Sequence, residues 1–422
     1  MQYIQISGKK QLGGEIALHG AKNSVLPILA GTVLIDGTST LHNCPDLSDV
    51  AACCDIIRHL GGSVSRTDDV IFADTTAITQ CEIPKGLMEE MRSSIIFLGS
   101  LSARCGKACM YLPGGCKIGA RPIDIHIKSL RTLGYHISFD GSNICCEKAN
   151  AKGGSVTLPF PSVGATENVI LASVLLGGVT TIINAAREPE ITDLADYLNS
   201  AGAKISGAGS SVIRIEGVAR LQSAEHTVIP DRILASTFMS AVAAAGGDIV
   251  LKKVNISHLS PILPVFEEMG CKFFAGHGEL KIKSPHRIKS VKRITTGVYP
   301  SFPTDSQAPV MASLCTAKGS SVITETIFEN RLQHAGQLSR FGADIVVSDR
   351  TAFVTGVKNL HGAAAYCTDL RGGAAIIIAA LAAEGDSQIY KIHHIDRGYE
   401  NIERQLSLLG ADIRRKYDEK EQ

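Results

Sequence analysis

A short phrase recurs six times along this chain, and its even spacing constrains the fold more than any other feature. In each copy a hydrophobic or alanine residue precedes a glycine, and an aliphatic or aromatic residue follows three positions after that glycine. The glycines are separated by 73, 68, 68, 72 and 68 residues, and they are Gly61, Gly134, Gly202, Gly270, Gly342 and Gly410. Because glycine readily adopts the left-handed conformation that ends a helix, each phrase predicts a helix that passes directly into a strand.

The segments upstream of these phrases also share a pattern, which is clearest over residues 229–273. The pattern predicts a helix at 233–245, a turn at Gly246-Gly247, a strand at 248–254 and a second helix from about 260 to 269. Six such units of about 70 residues predict an α/β protein. The phrases could also be αβ junctions that recur by chance, but their nearly constant spacing favours a repeat. Periodicity alone leaves open one solenoid or two domains of three units, and a length of 422 residues favours two domains.

The balance of charges argues against partners that are attracted by a strong overall field. The chain has 42 basic and 41 acidic residues, which gives a formal net charge of +1. We therefore expect no binding to nucleic acid and none to an anionic membrane surface. Any small anion must be bound by a local cluster of positive groups.

Neither a secretion signal nor a membrane span is expected. The first residues alternate as a strand would, and the most apolar stretch, residues 168–186, is interrupted by polar residues and glycines. The twelve cysteines include no CxxC pair, so we expect no metal site. Most of them should be reduced and buried in a cytoplasmic protein.

One loop carries a candidate reactive thiol. Three glycines and two prolines mark residues 113–123 as a loop, which contains Cys116 together with Lys117 and Arg121. Positive neighbours favour the thiolate, which is the reactive form of cysteine. Cys116 could also be one more apolar filler, and the residues by themselves leave both interpretations open.

A possible anion site precedes the first long apolar run. Lys22 and Asn23 lie where a helix over residues 25–33 should begin. Backbone N–H groups at a helix start, the helix dipole and a lysine would together attract a phosphate or a carboxylate. The alternative is an ordinary cap by Asn23 or Ser24 with a solvated lysine.

Further candidates lie at the starts of later repeat units. Asp305 opens a helix, where it could be an N-cap or a general base. Four arginines at related positions could converge on one highly charged ligand, or they could pair with the acidic residues beside them, Asp231, Glu329, Asp369 and Asp396. These arginines are Arg232, Arg331, Arg371 and Arg397.

Six ordered blocks carry a resemblance that runs from one end of the chain to the other. They are GAKN at 20–23, PGGCKIGARPID at 113–124, SVGATEN at 162–168, NAAREPE at 184–190, FPTD at 302–305 and DRGY at 396–399. Together they resemble the enolpyruvyl transferase family, and within it the UDP-N-acetylglucosamine 1-carboxyvinyltransferases. The related shikimate-pathway transferases share the architecture, but the cysteine loop argues against that branch. A catalytically silent paralogue is the other alternative, against which the complete set of candidate residues argues.

The resemblance implies a two-domain inside-out α/β barrel built from six repeated units. Residues 1–21 and 230–422 would form one discontinuous domain, and residues 22–229 the other. It also implies a cytoplasmic enzyme of peptidoglycan precursor synthesis that transfers the enolpyruvyl group of phosphoenolpyruvate to the 3′-hydroxyl of UDP-N-acetylglucosamine. No cofactor and no metal are implied, and the partners are the two small substrates.

The resemblance also assigns roles to residues. It implies catalytic roles for Lys22, Cys116, Asp305 and Arg397. The implied substrate-binding residues are Lys22, Asn23, Arg92, Arg121, Pro122, Ile123, Asp124, Ile125, Ser162, Val163, Gly164, Asp305, Ile327, Arg371 and Arg397. One departure is Phe160, where some members of the family have a lysine near the uridine diphosphate.

Overall fold

The computed structural model describes residues 2–112 and 123–417, with Arg92 described in its backbone only. These residues form two compact units. The first unit contains the chain up to His19 and from Pro230 onward, and the second contains the described residues between Gly20 and Ile229.

Each unit contains three four-stranded sheets among its described residues, and all six sheets follow one pattern. An outer strand pairs parallel with its neighbour, and the two following pairs are antiparallel. In spatial order, the sheets of the first unit are Leu12–Ala17, Gly247–Lys252, Glu279–Lys283, Lys272–Ala275; Arg293–Thr295, Ser320–Thr324, Thr351–Thr355, Asp344–Ser348; and Ala364–Tyr366, Asp386–Tyr390, Gln2–Ser7, Asp412–Tyr417. A two-stranded sheet adds Leu360–His361 and Ala383–Glu384. The sheets of the second unit are Ala224–Thr227, Thr38–His42, Val70–Asp74, Ser63–Thr67; Glu82–Ile83, Lys107–Tyr111, Asn143–Glu147, His136–Asp140; and Ser155–Thr157, Val179–Ile183, Val212–Glu216, Lys204–Ser206.

Helices connect these strands. The α-helices of the first unit are Arg232–Ala245, Leu263–Glu268, Thr304–Leu314, Ala335–Leu338, Leu370–Ala382, His393–Asp396 and Ile402–Leu408, with 3₁₀ helices at Ile256–Leu259, Arg331–His334 and Ser339–Phe341. Those of the second unit are Lys22–Thr32, Ser48–His59, Lys85–Glu90, Phe97–Cys105, Asp124–Thr132, Val163–Ser173 and Pro189–Ser200, with a 3₁₀ helix at Arg92–Ile96.

The core of the first unit is built around three helices that pack on one another, Arg232–Ala245, Thr304–Leu314 and Leu370–Ala382. They are buried on nearly all sides, as expected for helices at the centre of a core. The strands are buried on one face only, so that Ile4 and Ile6 face the core while their neighbours are partly exposed.

The prediction made from the six glycine phrases is confirmed. Each glycine has a positive φ, between +84° and +104°, and each lies between the end of a helix and the start of a strand. The α/β class is confirmed as well. The helix expected at 260–269 is shorter, since it begins at Leu263 with Pro264 in its first turn. Pro261 and Pro264 explain the late start, because proline lacks the N–H group that an earlier turn would require.

Two expectations about composition can be compared with the structure. No helix within the described ranges is long and apolar enough to cross a membrane. Nine of the described cysteines are free, but Cys109 and Cys145 form a disulfide. These two residues lie opposite each other on the antiparallel strands Lys107–Tyr111 and Asn143–Glu147, with their Cα atoms 4.1 Å apart. Sequence spacing gave no sign of this pair, since 36 residues separate the two cysteines.

Candidate active site

Asp305 lies at a junction of charges in the first unit. It is in the first turn of the helix Thr304–Leu314, whose N-cap is Pro303, so the alternative that Asp305 caps this helix is wrong. Its Oδ1 accepts a hydrogen bond from Nη2 of Arg331 at 2.7 Å and another from Nε of Arg371 at 3.3 Å. The Asp305 side chain is 28% exposed, whereas both arginine side chains are nearly inaccessible. One carboxylate that remains open to solvent is therefore held by two buried cations.

The surroundings of Arg371 favour its charged form. Burial opposes the charge, but Tyr399 and the carboxylates of Asp305 and Asp231 outweigh that cost and raise the pKa of Arg371 above its usual range. Nη1 of Arg371 donates to the Tyr399 hydroxyl at 3.1 Å, and that hydroxyl lies 2.9 Å from Oγ1 of Thr237. The guanidinium is thus fixed from two sides, which makes it a rigid donor rather than a flexible surface charge.

The acidic residues next to Arg331 and Arg371 in the sequence have other partners. Glu329 binds Arg350 at 3.0 Å. Asp369 caps the helix Leu370–Ala382 by accepting hydrogen bonds from the N–H groups of Arg371 and Gly372. The alternative that these two arginines pair with their sequence neighbours is therefore wrong, because both guanidinium groups contact Asp305 instead.

Two more candidates belong to the first unit. Arg397 is half-buried at the end of the short helix His393–Asp396. The acid beside it, Asp396, binds both terminal nitrogens of Arg415, at 2.6 and 3.1 Å. Ile327 is half-buried, and its N–H donates to Oε1 of Glu325 at 2.8 Å.

Lys22 is the first residue of the helix Lys22–Thr32 in the second unit. Its side chain is buried, and Nζ lies 2.5 Å from Oδ2 of Asp49, which is also buried. The alternative that Lys22 is a solvated surface lysine is therefore wrong. The pair has the geometry of a buried salt bridge, in which the removal of one partner is costly to the other.

Neither Asn23 nor Ser24 caps this helix, so that alternative is also wrong. The cap position is Ala21, without a side-chain hydrogen bond. The Ser24 hydroxyl donates instead to Oδ2 of Asp193, and Asn23 is half-buried beside Lys22. A Cβ at Gly20 would lie 1.9 Å from the Asn43 carbonyl oxygen, so only glycine allows the chain to enter the helix along this path.

The candidates for a nucleotide site surround the start of the helix Val163–Ser173. Ser162 caps this helix by accepting from the Ala165 N–H at 3.3 Å, and Val163 is its first residue. A Cβ at Gly164 would lie 3.1 Å from Cε1 of His126, so the missing side chain permits a close approach of the imidazole.

His126 is held in one orientation by Asn168. Oδ1 of Asn168 accepts from the Gly99 N–H at 2.8 Å, and its Nδ2 donates to the Ile95 carbonyl oxygen at 3.0 Å. This leaves Nδ2 as the donor to Nδ1 of His126, at 2.8 Å. Burial lowers the pKa of His126 to about 4, so the ring is neutral at pH 7 and its proton resides on Nε2.

The remaining nucleotide candidates are close to these elements. Ile123 and Ile125 are half-buried against the core of the second unit, while Asp124 is exposed in the first turn of Asp124–Thr132. Arg92 begins the 3₁₀ helix Arg92–Ile96, which packs on the helix Val163–Ser173. Phe160 is 44% exposed.

Three of the sequence-derived candidates, Cys116, Arg121 and Pro122, lie outside the described residues. The other cysteines still inform the question of which thiol reacts. Burial raises the pKa of several of them to about 11 or 12, and these are Cys44, Cys54, Cys146, Cys271, Cys315 and Cys367. Such thiols hold their protons at neutral pH and are poor nucleophiles.

Tyr399 lies within the DRGY block at 396–399, but sequence reasoning missed Asp49 and His126. Each acts through a partner that is distant in the sequence, so no local motif could reveal it. Within residues 2–112 and 123–417, no group of three or more histidine, cysteine or acidic residues is arranged to hold a metal ion.

Comparisons with known proteins show the family to which this chain is similar. The family model described as EPSP synthase (3-phosphoshikimate 1-carboxyvinyltransferase) matches residues 6–406. The UDP-N-acetylglucosamine 1-carboxyvinyltransferase 2 of Caldanaerobacter subterraneus subsp. tengcongensis is 47% identical over 413 residues, which are 98% of this chain and 99% of the relative. The UDP-N-acetylglucosamine 1-carboxyvinyltransferase of Myxococcus xanthus is 46% identical over 418 residues, with 98% and 99% covered.

Solved structures share the fold. The enolpyruvyl transferase NikO from Streptomyces tendae matches with a TM-score of 0.89 at 24% identity, covering 98% of this chain and 99% of that one. An EPSP synthase from Acinetobacter baumannii matches with a TM-score of 0.77 at 18% identity, covering 99% and 100%. At these identities the likeness concerns the fold, whereas the relatives above 40% identity match over nearly their whole length. The chain therefore belongs to the UDP-N-acetylglucosamine 1-carboxyvinyltransferase family of enolpyruvyl transferases.

Proposed function

We propose that this protein transfers the 1-carboxyvinyl group of phosphoenolpyruvate to the 3′-hydroxyl of UDP-N-acetylglucosamine and releases phosphate. The main support is 46–47% identity, over nearly the whole chain, with relatives that are named for this activity. The reaction is the first committed step of peptidoglycan precursor synthesis, and a cytoplasmic location is part of the proposal.

The proposal extends to the architecture. Two domains, residues 1–21 with 230–422 and residues 22–229, would each be an inside-out α/β barrel of three repeated units. The support for repeats is the common order of strands in six sheets and the glycine that ends a helix in each unit. The support for an inside-out arrangement in the first unit is its three apolar helices, which pack on one another.

Positive side chains would neutralise the two anionic groups of phosphoenolpyruvate. Lys22, Arg121, Arg371 and Arg397 take this role, and the tetrahedral adduct of the two substrates would retain both the phosphate and the carboxylate. Fixed cations stabilise charge in a transition state without first reorganising, which is why buried arginines suit this role better than mobile ones. The contacts that hold Arg371 support its assignment.

Two groups would move the protons. Asp305 accepts the proton of the sugar 3′-hydroxyl as its oxygen attacks the central carbon of phosphoenolpyruvate, and Cys116 donates a proton to the methylene carbon. The adduct then loses a proton from the new methyl group together with phosphate, which restores the double bond in the enolpyruvyl ether. Asp305 is suited to this role because its side chain remains partly exposed, although two arginines fix its position.

We assign the nucleotide sugar to the residues that match this role in the family. They are Arg92, Arg121, Pro122, Ile123, Asp124, Ile125, Ser162, Val163, Gly164, Asp305 and Ile327. The support in the second unit is that the helices beginning at Arg92 and Asp124 both pack on the helix Val163–Ser173, which contains Gly164.

The test is a phosphate-release assay with each substrate alone and with both together. The proposal expects release only when phosphoenolpyruvate and UDP-N-acetylglucosamine are both present. Release with shikimate 3-phosphate in place of the nucleotide sugar would instead indicate the other branch of the family. Binding of UDP-N-acetylglucosamine without any release would indicate a silent paralogue.

A further inference from the structure

A buried carboxylate outside the proposed set of substrate contacts stands directly after the strand Ser320–Thr324. Glu325 is 0% exposed. A buried charge is costly unless hydrogen bonds replace its lost water, so its position requires an explanation. The proposed chemistry makes no use of this group.

Among the described residues, four neutral groups donate hydrogen bonds to the Glu325 carboxylate. Oε1 accepts from Oγ1 of Thr296 at 2.9 Å and from the N–H groups of Ile327 at 2.8 Å and Phe328 at 3.2 Å. Oε2 accepts from Oγ1 of Thr304 at 2.8 Å. An ionised carboxylate only accepts hydrogen bonds, so it fixes the direction of every donor around it.

These donors belong to segments that carry the machinery around Asp305. Thr304 is the first residue of the helix Thr304–Leu314 and directly precedes Asp305. Ile327 and Phe328 lie on the short connection that leads to Arg331. The 2.7 Å contact between Asp305 and Arg331 therefore joins two segments that Glu325 already holds together.

The alternative is that Glu325 merely stabilises the end of its strand. That role needs donors from the neighbouring strand and from the following turn, which Thr296, Ile327 and Phe328 provide. It does not need Thr304, which belongs to a core helix. The bond from Thr304 to Oε2 is thus the contact that separates the two interpretations.

We propose that Glu325 is a positioning residue that fixes the helix start at Thr304, and with it Asp305, relative to the segment that leads to Arg331. This inference rests on the proposed function, since it assigns the consequence to the proton-accepting step. It predicts that the loss of the Thr304 contact lowers kcat and leaves the affinity for the nucleotide sugar nearly unchanged.

The central variants are Thr304→Val, which removes only the hydroxyl, and Thr304→Ser, which retains it. A displacement of about 1 Å at a reacting group can cost about 10²-fold in rate, so we expect kcat of the valine variant to fall by about 10- to 100-fold. The serine variant should stay within about threefold, and so should KM for UDP-N-acetylglucosamine in both variants.

The matched control is Thr324→Val. Thr324 lies next to Glu325 on the same sheet, is also half-buried, and its hydroxyl lies 3.3 Å from that of Thr351. This variant should keep kcat within about twofold, because its hydroxyl does not contact Glu325. Equal kcat values for Thr304→Val and Thr324→Val would overturn the inference.

Variants of Glu325 itself give a second comparison. Glu325→Gln retains one oxygen for the donors at Oε1, and the Thr304 hydroxyl can rotate to accept from the new amide, so most activity should remain. Glu325→Ala should lose at least as much as Thr304→Val. A glutamine variant as slow as a folded alanine variant would contradict positioning by hydrogen bonds, and the Thr304 pair decides the question if the alanine variant does not fold.

Hydrogen exchange tests the inference independently of turnover. Thr304→Val should accelerate amide exchange in residues 304–314 and 326–331, whereas Thr324→Val should not accelerate it in residues 304–314. Unchanged exchange would overturn the inference even if kcat falls. A wild-type protein that releases no phosphate would refute the proposed function, while the exchange experiment would still decide whether Glu325 holds these segments.

Discussion

Replacement of Asp305 by asparagine tests the proposed chemistry most directly. The amide has nearly the same shape as the carboxylate and can still accept hydrogen bonds from Arg331 and Arg371, but it cannot take a proton from a hydroxyl. A positioned general base contributes about 10²- to 10⁴-fold to a rate. This corresponds to about 3–5 kcal/mol of activation free energy, so kcat should fall by that factor while the affinity for UDP-N-acetylglucosamine changes little.

The same substitution has a separate cost in stability. Asp305→Asn replaces charge-assisted hydrogen bonds to two buried arginines by neutral ones, at donor distances of 2.7 and 3.3 Å. Because the Asp305 side chain is 28% exposed, water screens part of the loss. We therefore expect about 1–3 kcal/mol of destabilisation, which is close to the value for a charged hydrogen bond and below that for a fully buried ion pair.

Three assays separate the effects on rate, affinity and stability. Phosphate release with both substrates gives kcat, calorimetric titration gives the affinity for the nucleotide sugar, and urea unfolding gives the stability. Asp344→Asn is the matched control, since Asp344 is exposed on the strand Asp344–Ser348 of the same unit. An Asp305→Asn variant with nearly normal kcat would refute the role of Asp305 as base, and a loss of nucleotide affinity equal to the loss of kcat would indicate a collapsed site.

Three further predictions follow from the other clusters. Fosfomycin, an epoxide with an anionic phosphonate, should alkylate Cys116 selectively, because burial raises the pKa of most other thiols. The Cys116→Asp variant should resist fosfomycin and retain some activity. Peptide mass mapping that finds the adduct on another cysteine would contradict this prediction. Lys22→Met should weaken phosphoenolpyruvate binding, and it should destabilise the protein by about 3 kcal/mol because buried Asp49 loses its salt bridge with the lysine. Adding Asp49→Asn should restore the stability measured in urea but not the affinity for phosphoenolpyruvate. Burial lowers the pKa of His126 and His334 to about 4, below the unfolded value of 6.5. As the pH falls from 6.5 towards 4, these histidines bind protons in the unfolded state but not in the folded state. Each should therefore lower the free energy of unfolding by up to about 3 kcal/mol. His126→Gln should halve this acid dependence of the urea midpoint, and an unchanged slope would count against it.

The local features of the fold could be predicted from the sequence because each depends on a few adjacent residues. Gly61 and Gly410 end their helices with φ values of +104° and +90°, a conformation that other residues adopt only at a cost. The second helix of the unit over 229–273 is shorter than its apolar pattern predicts, because Pro261 and Pro264 delay its start. In both cases the information lies within one or two turns.

The contacts of the candidate site could not be predicted in the same way. Arg331 and Arg371 lie 26 and 66 residues from Asp305 in the sequence. The sequence placed all three at helix starts, but it left open whether each arginine pairs with its own neighbour. Only the packing of the core helices decides this, since it brings their N-terminal ends together. A motif identifies which residue types are present, whereas the direction of their side chains depends on the tertiary structure.

Three buried cations lie where they do not favour the stability of the fold, which points to a role in function. Lys22, Arg232 and Arg371 are buried within the first two residues of long helices, where the helix dipole is unfavourable to positive charge. A buried ion pair seldom stabilises a protein more than apolar residues of the same size would. The rest of these helices contains no charged residue and is largely buried, so a stable core does not require the charges. An anionic group bound at one of these helix starts reverses the balance there, because it would interact favourably with the cation and with the helix N-terminus. The buried cations therefore support the proposal that these helix starts bind anionic groups of a substrate.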